Sequence, residues 1–353
     1  MMRGACSVFR VYLSTCLPAL LVLSILSLLL AACNLSKADC ARSDVLCVGL
    51  VTDTGKLQDH GLTQSAWEGI QKALSDGVIQ KADAIESVDA RDYAKNIAFF
   101  TQSHYDVIIT SGMGLADETL QAAHLNPGSV FIGLDQPPEL THPNFHAVSF
   151  PEDQGGFLAG ALAAGMTQTG IVGAACETAG IASNWRACEG FRAGAQYINP
   201  EVIVFISYRE EGASEDLFKD NAWGSATALG MLRDGADVIF GVGGGTGEGA
   251  TAAAAGAGAW SLGSEQDQFY VTREAGSRLL SSILPQASQV IYEALVSIQK
   301  GTPPGALVGS MQLAPYHKAG HFVPLDLQAR LLELQIKLKS GEIKTHIAAE
   351  KPK

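Results

Sequence analysis

Charged residues are scarce in this 353-residue chain: Asp, Glu, Lys and Arg make up only 17% of it, and no Lys/Arg cluster occurs. Nucleic-acid binding needs a basic face. With a net charge of −12 none is available, so no nucleic acid is expected as a partner. Aromatic residues are also few, at 7%. There is no C-x-x-C pair and the eight His are scattered, so no metal is expected. A G-x-S-x-G elbow is missing, and no glycine-rich turn runs into Gly-Lys-Ser/Thr. These absences remove the common esterase nucleophile and the P-loop, and no cofactor is expected. No tandem repeat, low-complexity tract or Pro-rich linker interrupts the chain. What is present is 47% hydrophobic residues and 38 Gly, ample for a sizeable core. The length points to two domains rather than one.

One long hydrophobic run exists, at the start. "MMRGACSVFR" carries Arg3 and Arg10 and no acid, and "VYLSTCLPALLVLSILSLLLAAC" continues almost wholly apolar to Cys33. A basic start, an apolar run and small residues before a break describe an export signal. The run is also long enough to span a bilayer, so an uncleaved anchor is the alternative. The ending "LAAC" resembles the bacterial lipobox, in which the Cys is acylated and becomes the mature N-terminus. We therefore expect a lipoprotein signal peptide at 1–32, lipidation at Cys33 and a tether over 33–44. The body would lie in the cell envelope, outside the cytoplasm, lipid-anchored to the membrane. Removing the two positive charges of 1–32 takes the body to −12 − 2 = −14. Four Cys remain in an oxidising compartment. Cys176 and Cys188 are a possible disulfide and Cys40 and Cys47 could also pair, the alternative being four free buried thiols.

Apolar, β-branched runs alternate with helical segments. "VLCVGLV" (45–51), "YDVIITSG" (105–112), "SVFIGLDQ" (129–136) and "NFHAVSF" (144–150) form a first set. "TGIVGAAC" (169–176), "EVIVFISY" (201–208), "ADVIFGVG" (236–243) and "AWSLGS" (259–264) form a second. Continuous apolar strands separated by helices indicate parallel sheets covered on both faces. The expected fold is α/β, two doubly wound parallel-sheet lobes with a hinge. A helix at 286–300, a strand at 306–313 and the amphipathic "LDLQARLLELQIKLKSG" are too short for a third domain and complete the two lobes. The division expected is 45–148 plus 286–315 for the N-terminal lobe and 149–285 plus 316–345 for the C-terminal lobe.

Ligands of open parallel sheets sit beyond the carboxyl ends of the strands. Just past those ends stand Asp53, Ser111 to Met113, Asp135, Glu177, Gly243 to Thr246, and Glu265 with Asp267. Each alone is as readily a helix cap. Together they describe a cleft lined by acceptors, suited to a small neutral, hydroxyl-rich or amine-bearing ligand and poorly suited to an anion. Asp59 and His60 lie close to Asp53 in "TDTGKLQDHG", but no nucleophile accompanies them.

The stretch "GTGEGA" (245–250) fits G-x-G-x-x-A between a strand and a helix, and Glu265 lies where a ribose-binding acid would follow. Three features weigh against a dinucleotide site. The stretch is far from the first βαβ unit, it belongs to an exported chain, and no His or Tyr stands near it to relay a hydride. The glycines nonetheless allow close backbone approach and free N–H groups at a helix start.

The segments "VGLVTDTGKLQDHGLTQSAWEGIQKA", "VFIGLD", "EDQGGFLAGALAAGMTQTGIVG", "CEGFRAGAQYINPEV", "GADVIFGVGGGTGEG" and "SGEIK" together resemble the basic membrane protein family of solute-binding lipoproteins, which includes bacterial purine-nucleoside receptors. The resemblance implies a type I periplasmic-binding-protein-like fold, a nucleoside-like ligand held between the lobes, an ABC permease as partner, and no catalytic turnover. The body would be a monomer. By position Asp53 and Asp135 match ligand-binding acids, and Gly244, Gly245 and Thr246 fall in the family's glycine turn. Where the family has Ser-Phe-Asn this chain has Gly61, Leu62 and Thr63, so a stacking ring and an amide are gone. Glu265 or Asp267 stands in place of a ribose-binding acid, Pro285 in place of a Lys, and Trp185 is a candidate replacement stack. Ligand-binding candidates are therefore Asp53, Asp59, Leu62, Thr63, Met113, Asp135, Glu177, Trp185, Gly244, Gly245, Thr246, Glu265 and Asp267. An envelope enzyme acting on nucleosides, or a sensory receptor without transport, would share such a cleft.

Overall fold

The computed structural model describes residues 39–137, 142–213 and 216–352; the expected signal segment and Cys33 lie outside them. Strand β1 (Cys47–Thr52) is buried along its whole length, as its unbroken apolar run requires of a strand covered on both faces. It is followed by α1 (Leu62–Ser75), β2 (Lys81–Ile85), α2 (Tyr93–Gln102), β3 (Val107–Ser111), α3 (Ala116–Leu125), β4 (Val130–Leu134) and β5 (Phe145–Ser149). The chain then crosses to a second unit. This comprises α4 (Glu152–Met166), β6 (Ile171–Cys176), α5 (Ala182–Ile198), β7 (Ile203–Tyr208), α6 (Asn221–Arg233) and β8 (Val238–Val242). It continues with α7 (Gly244–Gly256), β9 (Trp260–Ser264), the short α8 (Gln268–Val271) and β10 (Leu279–Gln286). Next, α9 (Ser288–Gln299) returns to pack on α1, where the Ser65 hydroxyl accepts the Ala287 N–H at 3.0 Å. Strand β11 (Leu307–Val308) stays there, and β12 (Ser310–Leu313) and α10 (Leu325–Ser340) cross over once more.

Two six-stranded sheets result, in the orders β2-β1-β3-β4-β5-β11 and β7-β6-β8-β9-β10-β12. Apart from the antiparallel pair β10–β12, their pairings are parallel. These are two doubly wound lobes joined by three crossings. The strand expected over 306–313 is divided: β11 pairs with Val148–Ser149 of β5 in the first sheet, and β12 pairs with β10 in the second. Residues 310–313 therefore sit in the second sheet, although the sequence reading placed them with the first lobe. Gly309 is where the chain changes sheets, and a Cβ there would meet the Phe150 ring at 2.2 Å.

Both Cys pairs are bridged, Cys40–Cys47 and Cys176–Cys188. The second ties the end of β6 to α5. No helix among the described residues is long and apolar enough to cross a membrane.

Candidate functional site

The carboxyl ends of both sheets face one cleft of about 660 Å³. The first lobe supplies Asp53 after β1, Ser111 at the end of β3 with Met113 beyond it, and Asp135 after β4. The second supplies Gly244 after β8, and Ser264 and Glu265 at the end of β9. Phe150 and Glu152, at the first crossing, and Met311, after the third, also line it.

In the first lobe, Asp53 accepts the Gly55 N–H at 2.8 Å, while its own N–H donates to the Ser111 carbonyl at 2.9 Å. Its carboxylate lies over Gly112, where φ is +123° and a Cβ would meet Asp53 Oδ2 at 2.2 Å, so only glycine fits. Burial holds the Asp53 carboxyl above its ordinary value, and nearby Asp59 adds to the rise against the Gly55 N–H. Asp59 has another task. It accepts the N–H groups of Gly61 (2.8 Å), Thr63 (3.0 Å) and Gln64 (3.0 Å) and so caps α1. The Thr63 hydroxyl is held by that of Ser111 at 2.8 Å. Leu62 and Met113 supply apolar wall.

In the second lobe the glycine run opens α7 with Gly243 at φ +97° and Gly244 at φ +53°. Gly244 donates its N–H to the Glu265 carboxylate at 3.2 Å, and Gly245 donates to the Phe218 carbonyl at 2.7 Å. The run is thus a seam holding a carboxylate and an aromatic loop at the cleft. Burial raises the Glu265 carboxyl, opposed in part by the Gly244 N–H.

Asp135 and Glu265 face the open cleft, so water reaches them, yet protein surrounds each on its other sides. For Asp135 this enclosure, followed by the charges of Glu265, Glu152 and Asp53, pushes the carboxyl up to about 7. Glu152 is itself raised by burial although Arg186 pairs with it. Seven non-glycine residues among those described have positive φ, and four of them line this cleft: His60 (54°), Asp135 (53°), Phe218 (62°) and Glu265 (70°). A left-handed backbone is strained for such residues and persists where the surroundings impose it, characteristically at functional sites.

The sequence candidates divide accordingly. Asp53, Asp59, Leu62, Thr63, Met113, Asp135, Gly244 and Glu265 line the cleft; Glu177, Trp185, Gly245, Thr246 and Asp267 do not. Glu177 is completely buried behind the wall, where it receives Arg209 (3.3 Å), the Phe218 N–H (2.9 Å) and the Thr246 hydroxyl (2.8 Å). Trp185 stacks on Tyr208, centroids 5.9 Å apart. Asp267 caps α8 and bonds His317 Nε2 at 2.7 Å. Phe150, Glu152, Phe218 and Ser264 were not anticipated. Phe218 sits ten residues beyond the end of β7 in a loop with no periodic signal. Ser264 is the last strand residue rather than the one after it.

The lobes also touch directly at the cleft mouth. Gly61 and Gln266 form an antiparallel bridge, and the Asp267 N–H donates to the His60 carbonyl at 2.9 Å. The His60 ring stacks on Tyr270 with centroids 4.2 Å apart. Such a stack contributes about 0.5–1.5 kcal/mol. Tyr270→Ala should therefore weaken ligand binding roughly two- to tenfold and enlarge the ligand-free radius of gyration in small-angle scattering. An unchanged radius and affinity would show that the stack does not help hold the lobes together.

His142 and His146, and likewise His317 and His321, stand four apart in sequence, a spacing that brings two side chains within reach of one ion only in a helix. Neither pair is in an α-helix. Among the described residues no group of three or more His, Cys, Asp or Glu could hold a metal ion.

Comparison with known proteins adds family evidence. The profile of the Bmp family, described as "ABC transporter substrate-binding protein PnrA-like", matches residues 47–309. The "ABC transporter nucleoside-binding protein BmpA" of Lactococcus lactis is 27% identical over 283 residues, covering 75% of this chain and 78% of that protein. The "CD4+ T-cell-stimulating antigen" of Listeria monocytogenes is 30% identical over 226 residues, 62% of this chain; the match spans 61% of the Listeria protein's length. Among solved structures, an ABC transporter solute-binding protein from Conexibacter woesei superposes with a TM-score of 0.67 at 22% identity. That match covers 85% of this chain and 98% of the other.

Proposed function

From its membership of the Bmp family of PnrA-like ABC transporter substrate-binding proteins, to which this chain belongs, we propose that it is the membrane-anchored solute receptor of an ABC importer. Its ligand is a small nucleoside-like solute without phosphate. The observation that carries the reading is the pair of strained carboxylates at strand ends, Asp135 from one lobe and Glu265 from the other, opening into one cleft beside the Phe218 ring. A flat base against Phe218 and Phe150, with ribose hydroxyls donating to the carboxylates, uses both kinds of wall. A cleft of this volume lies within the roughly 300–1,000 Å³ typical of small-molecule sites.

The mechanism is a population shift. Solute bonded to both lobes favours the closed form, and the closed form docks on the permease. The three crossings serve as the hinge. Acylation at Cys33 would tether the body, as a monomer, to the outer face of the membrane. The solute is released unchanged. Family membership and the nucleoside-binding name of the Lactococcus relative support this reading.

A thermal-shift screen across nucleosides, free bases and sugars tests it. A true ligand at a hundredfold excess over Kd stabilises by about 2.7 kcal/mol, and the melting curve should move upward for nucleosides. A shift with sugars alone would remove the nucleoside assignment. Conversion of the ligand, followed by chromatography, would remove the receptor assignment.

A further inference from the structure

Among the described residues, three carboxylates of the cleft have no cationic partner. Asp59 is engaged by the first turn of α1, and Glu152 is paired with Arg186. Lys56, a basic residue of the wall, pairs with Glu86 at 3.1 Å. That leaves Asp53, Asp135 and Glu265, drawn from both lobes. Asp53 accepts one backbone N–H, from Gly55, and Glu265 accepts that of Gly244. Beside Glu265, Ser264 is only 5% exposed, lines the same cleft, and its hydroxyl has no hydrogen-bond partner among the described residues. Closing the lobes over a solute removes water from all of these groups. A buried charge without a counter-charge is strongly unfavourable, and like charges in one cavity raise that penalty. Neutral hydroxyls satisfy the acceptors but leave the negative charge enclosed. Leu62, Met113 and Phe218 supply an apolar part of the wall that suits a ring.

We propose that the solute carries a positively charged amine on a nucleoside-like frame, held between Asp135 and Glu265 with the Ser264 hydroxyl as a further acceptor. This rests on the solute-receptor reading above and narrows it to a cationic ligand class. Asp135 then links binding to protons. The groups that act on it are Glu265, Glu152 and Asp53, with Arg186 taken up by Glu152. Burial and these charges push it up to about 7, so at acid pH it is protonated and cannot answer a cation. Between pH 6 and pH 8 its ionised fraction rises from about a tenth to about nine tenths. Affinity for the amine should rise by up to about tenfold over that range.

Isothermal titration of the full-length chain in detergent provides the test. The probes are adenosine, 5′-amino-5′-deoxyadenosine, 3′-amino-3′-deoxyadenosine and adenosine 5′-monophosphate. At pH 7 at least one amine is expected to bind tenfold or more tighter than adenosine, and the monophosphate not to bind. Asp135→Asn should bring that amine to within a few-fold of adenosine and flatten its pH dependence; Glu265→Gln should narrow the gap separately. Adenosine binding as tightly as both amines would overturn the cationic class while leaving the nucleoside receptor standing. So would an amine advantage that survives both substitutions. If no adenine compound binds, the nucleoside receptor falls and this inference with it.

Discussion

Glu177→Ala is expected to destabilise the second lobe by about 3–5 kcal/mol, the usual consequence of removing one partner from a buried, hydrogen-bonded charge pair. Glu177 is completely buried and Arg209 is 3% exposed. The carboxylate receives the Arg209 guanidinium at 3.3 Å, the Phe218 N–H at 2.9 Å and the Thr246 hydroxyl at 2.8 Å. Three segments converge on it: the end of β7, the loop that carries Phe218, and the first turn of α7. Alanine leaves Arg209 with Asp220 (3.0 Å) as its remaining carboxylate. It also strips partners from a backbone donor and a hydroxyl, and an unsatisfied buried polar group costs about 1–3 kcal/mol. The bond to the Phe218 N–H helps hold that residue in its left-handed backbone, together with the Gly245 N–H on its carbonyl, so ligand affinity should fall along with stability. Urea unfolding gives the first quantity and titration with the screened ligand the second. Glu177→Gln retains an acceptor for Phe218 and should lose less affinity than alanine. Equal affinity losses in the two variants would show that charge, rather than the bond to the loop, positions the aromatic wall.

Legibility differed by element for physical reasons. β1 and β8 are read easily because strands buried on both faces must be apolar throughout, and no helical period can be laid over "CVGLVT" or "VIFGV". β2, "KADAI", is an edge strand with its residues half-buried or exposed, so it carries charge and looks like a loop. β10, "LLSSILPQ", has Ser281 and Ser282 in its middle and Pro285 near its end. Ser281 is nevertheless buried, because its hydroxyl donates to the Ala314 carbonyl at 2.8 Å. Such a partner, 33 residues away, leaves no local trace. The same limit applied at the cleft. The rule that ligands lie beyond strand ends picked out Asp53, Asp135 and Glu265, which line the cleft. It equally nominated Glu177, which follows β6 but turns inward to hold the wall from behind, and it had no means of finding Phe218 in a long loop. Position along a strand is encoded locally, whereas the direction in which the next side chain points is decided by what packs against it. Both disulfides illustrate this: spacing allowed the pairs, and only the closeness of β6 to α5 and of residue 40 to β1 selects them.

Gly156→Ala should be the second severe substitution, and its sign is a contest between two effects. Glycine inside a helix is about 1 kcal/mol worse than alanine, so on propensity alone the change is stabilising. In the packed pair α4–α5, however, a Cβ at Gly156 would stand 1.9 Å from the Ala187 carbonyl oxygen. That atom is backbone and cannot swing aside, and the neighbouring contacts are as close. A Cβ at Gly160 would meet the Phe191 carbonyl at 1.9 Å, and one at Gly194 the Phe157 carbonyl at 1.9 Å. The helices must separate along their length, and overpacking of this kind costs about 3 kcal/mol, more than propensity returns. Gly230→Ala in α6 is the control, because a Cβ there meets nothing nearer than Arg233 at 3.7 Å. It should stabilise by about 0.5–1 kcal/mol. The consequence of Gly156→Ala reaches the cleft as well, since Ser183, Asn184 and Ala187 on α5 and Glu152 at the start of α4 all line it. Shifting α5 away from α4 also disturbs the Glu152–Arg186 pair that links them. Unfolding and ligand titration of the two variants should therefore diverge, with Gly230→Ala binding as the parent does and Gly156→Ala losing both stability and affinity. If Gly156→Ala were as stable as the parent, the close approach of α4 and α5 would not be what holds that wall of the cleft in place.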